Sequence, residues 1–178
     1  NSSYPNYGRT AQWSDVKETS AFTSAGYPFP IITALTHQNG TPGTGGSGTV
    51  VEFNPYEVGT YDQDVAAFVP TEIFGTPLNN GASLAPNGDC VYGIENAGYV
   101  MGMSSAIFNQ AQQVLPAQIA SSLAGSLFGF AGNLTAVISN TFTQIANPFL
   151  NFKSGPLASA NNVTLVDGGE DGQGIPLA

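Results

Sequence analysis

Apolar and polar positions divide this 178-residue chain into three regimes. Up to Gly81, short β-type runs are separated by turn residues. Residues 1–27 read as loop and turn, except that Trp13-Ser14-Asp15-Val16-Lys17-Glu18 predicts a short helix capped by Ser14. Tyr27-Pro28-Phe29-Pro30 then forces an extended approach to Ile31-Ile32-Thr33-Ala34, a candidate for a buried strand. His37 lies just beyond it. Thr49–Phe53 predicts a second strand, and Asn54–Gly59 ends it in a turn. From there to Gly81, Asp62, Asp64 and Glu72 alternate with Val65, Phe68, Val69 and Phe74.

In the second regime, Asn96 to Phe152, no side chain is charged. Ile107, Phe108, Ala111, Val114 and Leu115 fall at helical spacing behind Ser104 and Ser105 as caps, and Pro116 ends the run. Ile119, Leu123 and Leu127 make a second stripe, and Leu134, Val137, Ile138 and Ile145 a third. Ser, Gly and Asn interrupt residues 121–139 too often for the roughly 20 apolar residues of a membrane span. Buried helices, or an apolar cover over a lipid-binding cleft, fit the pattern equally.

The third regime begins after Gly155-Pro156, where a polar loop returns to Thr164-Leu165-Val166. These β-formers run straight into Asp167, then Gly168, Gly169 and an acidic turn. A carboxylate at the end of a buried strand, followed by residues that let the backbone bend, is one way to present a catalytic acid. The same pattern describes a turn in which Asp167 only accepts hydrogen bonds from backbone amides.

Composition narrows the partners. Twelve acids stand against Arg9, Lys17 and Lys153, a net charge of −9. With no basic surface to neutralise phosphates, nucleic acid is excluded as a partner. Sequons at Asn1, Asn39, Asn133 and Asn162 predict a secreted glycoprotein. Cys90 is the single cysteine, a buried thiol or one half of a disulfide whose partner lies elsewhere. No signal peptide opens the chain, which therefore reads as a mature or internal piece.

Several chemistries drop out. One His and one Cys cannot build a zinc cage. In the run Asp167-Gly-Gly-Glu-Asp-Gly, Gly169 occupies a position where a calcium loop needs Asp or Asn, so no metal and no cofactor is expected. Gly43, Gly45 and Gly48 satisfy G-x-G-x-x-G, but a β-run follows them where a dinucleotide site needs a helix, so residues 39–48 read as a surface connection. A Ser-His-Asp triad would have to use His37, and no G-x-S-x-G elbow exists. Asp62/Asp64 or Glu170/Asp171 would suit a glycosidase pair, though a solvated acidic turn explains Asp62 and Asp64 as well. An aspartate within reach of a serine can itself act as the base.

The stretches Val51–Gly59 (VEFNPYEVG), Phe74–Leu78 before Asn80-Gly81, Cys90, Asn96–Asn109 (NAGYVMGMSSAIFN), Leu165–Gln173 (LVDGGEDGQ) and Ile175–Leu177 occur in a definite order and spacing. Together they resemble the C-terminal half of the catalytic domain of fungal lysophospholipases (phospholipase B) and, more distantly, cytosolic group IV phospholipases. The resemblance covers residues 13–177 and is looser in the Gly-rich loop and the uncharged region. Gly174 departs from it, standing where relatives more often carry Asn.

The resemblance implies an α/β fold, a mixed central sheet covered by helices, of the cytosolic phospholipase catalytic-domain type. Residues 1–178 would be the C-terminal portion of one such domain. By position, Asp167 matches the family's catalytic aspartate, and Gly168 and Gly169 its flanking turn. The serine elbow lies upstream in relatives and is absent here. A companion chain or segment would supply that serine, and Cys90 would pair with a cysteine there. The implied activity is hydrolysis of fatty-acyl esters of lysophospholipid or phospholipid through a Ser–Asp dyad, with transient contact to a membrane or micelle surface. The uncharged region from Ser104 to Phe149 would line or cover the acyl cleft, and the chain alone would be inactive. A secreted, cell-wall or membrane-associated location fits. The alternative is a non-catalytic glycosylated module with the same fold.

Overall fold

The computed structural model describes residues 10–37, 48–105 and 143–171. Its centre is a six-stranded antiparallel sheet in the order β4-β3-β2-β1-β8-β7. The strands are β1 (Ile32–His37), β2 (Val50–Phe53), β3 (Glu57–Thr60), β4 (Ala67–Pro70), β7 (Thr143–Ala146) and β8 (Asn162–Asp167). A separate ribbon pairs β5 (Leu78–Asn79) with β6 (Ala82–Ser83). The helices are α1 (Ser20–Thr23) and α2 (Ala97–Ser104), with 3-10 turns between elements.

Register explains the core. Ile32, Ala34, Val51, Phe53, Val58, Ile145, Val163 and Leu165 share one sheet face, because cross-strand partners and every second residue point the same way. Against that face pack Val100 and Met103 of α2, with Trp13, Phe74, Phe149 and Leu157. Phe53 and Phe74 meet edge to face at 5.0 Å, and each contributes roughly 1.5–3 kcal/mol through burial. The opposite face is covered at its middle too, since the cross-strand pair Leu35 and Val166 is buried. This accounts for apolar residues at successive positions in both strands, Ala34-Leu35 in β1 and Leu165-Val166 in β8.

Four sequence expectations change. Glu57–Gly59 continues as β3 after a tight turn, so the turn is shorter than Asn54–Gly59. Buried Asn54 makes the turn by accepting from the Tyr56 and Glu57 amides, both at 2.9 Å, and its carbonyl accepts from Thr71 Oγ1 at 2.8 Å. Ser14 does not cap the 3-10 turn Ser14–Glu18; it lies inside that turn and donates to Glu95. Ile145 belongs to strand β7, where pairing with Val163 overrides its place in a helical stripe. Ser104 ends α2, which Asn96 caps by accepting from the Gly98 and Tyr99 amides at 3.0 and 3.3 Å.

The helical stripes between Ile107 and Ile138 and the glycine-rich loop lie outside the described residues. Among the described residues no helix is long and apolar enough to cross a membrane.

Asn54→Ala removes the one side-chain oxygen that accepts both turn amides at a buried position. We expect it to lower unfolding free energy by about 1–3 kcal/mol in a denaturant titration.

Candidate active site

Asp167 ends β8, opposite Ala34 of β1, on the face that carries the core. It is half-buried. Its Oδ1 accepts from the Gly169 amide at 2.8 Å, so the first oxygen is held by the 3-10 turn Gly168–Asp171. Its Oδ2 carries no hydrogen bond among the described residues. The carboxylate is thus oriented through one oxygen and open at the other. The turn reading of the sequence is met by that bond.

Gly168 is indispensable to this placement for a steric reason. A Cβ on it would sit 2.6 Å from both the carbonyl oxygen and Oγ1 of Thr33, and the backbone oxygen cannot yield as a flexible side chain would. The same Thr33 carbonyl accepts from Ser104 Oγ at 2.5 Å. One carbonyl of β1 therefore fastens the C-terminal end of α2 and abuts the aspartate turn. Sequence reasoning missed this support: it assigned Ser104 to the next helix and gave Thr33 no role, because their meeting is a contact across 71 positions. At Gly169 an added Cβ would approach Asp167 Oδ1 to 3.2 Å, crowding the carboxylate.

His37 pairs with Thr164, three positions along β1 from the Ala34–Asp167 pair, which separates the backbones by about 10 Å. Asp62 and Asp64 form a solvated turn: both are exposed, and Asp62 Oδ1 accepts from the Asp64 amide at 2.9 Å. The side chains of Glu170 and Asp171 lie outside the described residues. Cys90 is half-buried. Asn162 is exposed at the start of β8, while Asn1, Asn39 and Asn133 lie outside the described residues. Among the described residues no group of three or more His, Cys, Asp or Glu is arranged to hold a metal.

This sheet, with Asp167 at the end of β8, has the fold of a cytosolic phospholipase catalytic domain. The human GIVD cytosolic phospholipase A2 matches 88% of the chain and 23% of its own length, with a TM-score of 0.50 and 20% sequence identity. The sequence goes further. The lysophospholipase catalytic domain family matches residues 3–178, and the chain belongs to that family. It is 37% identical to a lysophospholipase of Arthroderma benhamiae over 97% of this chain and 27% of that protein. It is 39% identical to lysophospholipase 1 of Candida albicans over 93% of this chain and 28% of that protein. The chain thus spans little more than a quarter of the length of these relatives.

In Gly168→Ala the turn has to move away from Thr33. Overpacking of this kind costs about 1–3 kcal/mol, and thermal unfolding should show the loss as a lower Tm.

Proposed function

We propose that this chain is the aspartate-bearing portion of a lysophospholipase, or phospholipase B, that hydrolyses fatty-acyl esters of lysophospholipids and diacyl phospholipids through a Ser–Asp dyad. The serine belongs to a segment of the same enzyme outside these residues. The observation that carries this reading is the state of Asp167: held by the turn through Oδ1, with Oδ2 open.

The chemistry follows from that state. As the serine hydroxyl attacks the ester carbonyl, Oδ2 takes its proton and the carboxyl becomes neutral. Collapse of the tetrahedral intermediate breaks the bond to the glycerol oxygen, which leaves with that proton as the alcohol. Water then attacks the acyl-enzyme, giving its proton to the same carboxylate. The fatty acid departs and the proton returns to the serine. Asp167 alternates between base and acid, and no histidine is required. Without its serine the chain is inactive.

We also place this protein outside the cell, as a glycoprotein in transient contact with membrane or micelle surfaces. Asn162 is exposed where a glycan would project from the edge of β8. Cys90, which is half-buried, would join a cysteine of the segment that carries the serine.

A non-catalytic glycosylated module is the second reading, favoured by the bond from the Gly169 amide, which an aspartate serving only its turn would also make. Asp167→Asn in the longer polypeptide separates the two. Loss of the base should cut lysophospholipid turnover by about 10²–10⁴-fold with little change in Tm. Unchanged turnover would return Asp167 to the role of a turn residue.

A further inference from the structure

An open pocket of about 490 Å³ lies between the 3-10 turn Ser14–Glu18 and the segment ending at Glu95. It sits at the capped end of α2, an eight-residue helix whose other end meets the aspartate turn about 12 Å away. The carboxylates of Asp15, Glu18, Glu72 and Glu95 line it against one cation, Lys17, which is already paired with Glu72.

Two acceptors in this lining lack donors. Glu95 is 2% exposed; its Oε1 accepts from Ser14 Oγ at 2.9 Å, and its Oε2 has no partner. Gln12 Oε1 is likewise buried and unpartnered. Buried acceptors without donors are rare in folded proteins, and a carboxylate oxygen is the most demanding of them. The neighbouring Trp13 Nε1 is also buried without a partner, but it lies outside the lining; within the lining both orphans accept, and the surrounding charge is negative. The missing group therefore brings N–H donors and positive charge. A metal ion fits less well, because no three-ligand set exists among the described residues.

We propose that this pocket receives a guanidinium or ammonium side chain from the part of the longer polypeptide outside these 178 residues. Beyond Lys17 lies an aromatic face suited to the same partner. Lys17, on its rim, lies 5.8 Å from the Tyr56 ring centroid, and Tyr56 stacks on Phe29 at 6.3 Å with 2° between planes. Phe29 and Tyr56 are half exposed, with Tyr27 and Phe22 completing the cluster. Aromatic surface beside a desolvated charge is the anatomy of a protein contact. The chain accounts for only 27% of a relative's length, so ample polypeptide exists to make that contact. The proposal does not depend on the role of Asp167.

The test compares the longer polypeptide with its Glu95→Gln variant, using Ser14→Ala as the reference for loss of the internal hydrogen bond alone. With a cation seated in the pocket, Glu95→Gln lowers Tm by at least about 3 °C, more than Ser14→Ala does. Amides of residues 12–18 and 92–95 then exchange slowly in the unmodified protein and at least about tenfold faster in the variant. A Tm that is unchanged or raised in Glu95→Gln overturns the proposal, because removing a lone buried carboxylate relieves its desolvation. Fast exchange in the unmodified protein, slowed only by added argininamide or ethanolamine, overturns the assigned source and points to a soluble ligand. Should Glu95→Gln not fold, Gln12→Leu is read in the same way: a fall in Tm supports the seated cation, and no change or a rise refutes it.

Discussion

The pairing of β1 with β8 is the constraint on which the rest depends. These strands lie at opposite ends of the chain, and their register sets Ala34 against Asp167 and Leu35 against Val166. On one side of the pair β2, β3 and β4 follow as successive hairpins; on the other, β7 closes the edge. Joining such distant segments carries a loop-closure cost that only extensive burial offsets. Both faces contribute: Leu35 and Val166 on one, Ala34 and Leu165 on the other. A one-residue slip would exchange the faces, sending Asp167 away from the core side and breaking the burial of every partner.

That pairing also brings the parts of the site together. Gly168 can lie on Thr33 because β8 ends beside the first turns of β1, and Ser104 reaches the same carbonyl because α2 packs across both strands. The carboxylate is positioned by a backbone turn at the end of a strand, through the Gly169 amide. α2 spans the molecule between this end and the pocket at Glu95, with Val100 and Met103 anchoring it to the core. The two ends differ in what they lack. At Asp167 one oxygen has no hydrogen bond among the described residues, whereas at Glu95 a buried oxygen is without a donor.

Legibility in the sequence followed locality. Ile32–Ala34, Val50–Phe53 and Thr164–Val166 were readable as strands because their β-formers run unbroken between Pro, Gly and Asn signals. The need for small residues after Asp167 was readable as well, though the sequence suggested bending and the structure shows close packing at Gly168. β3 was hidden because its Glu57 and Gly59 weaken the apolar alternation, and its pairing with β2 and β4 supplies what propensity does not. α2 was hidden because Gly98 and Gly102 are poor helix formers; burial of Val100 and Met103 and the Asn96 cap hold it.

By itself the sequence determined three strands of the central sheet, the acidic and histidine-poor character that restricts the chemistry, and the motif around Asp167 that carries the family resemblance. All of these reside in neighbouring residues or in composition. Only the tertiary structure decided that Thr33 lies against Gly168 and holds Ser104, and that Glu95 is buried with an unmet oxygen. Those facts depend on side chains and backbone groups brought together across tens of residues, and no local pattern encodes a distance of that kind.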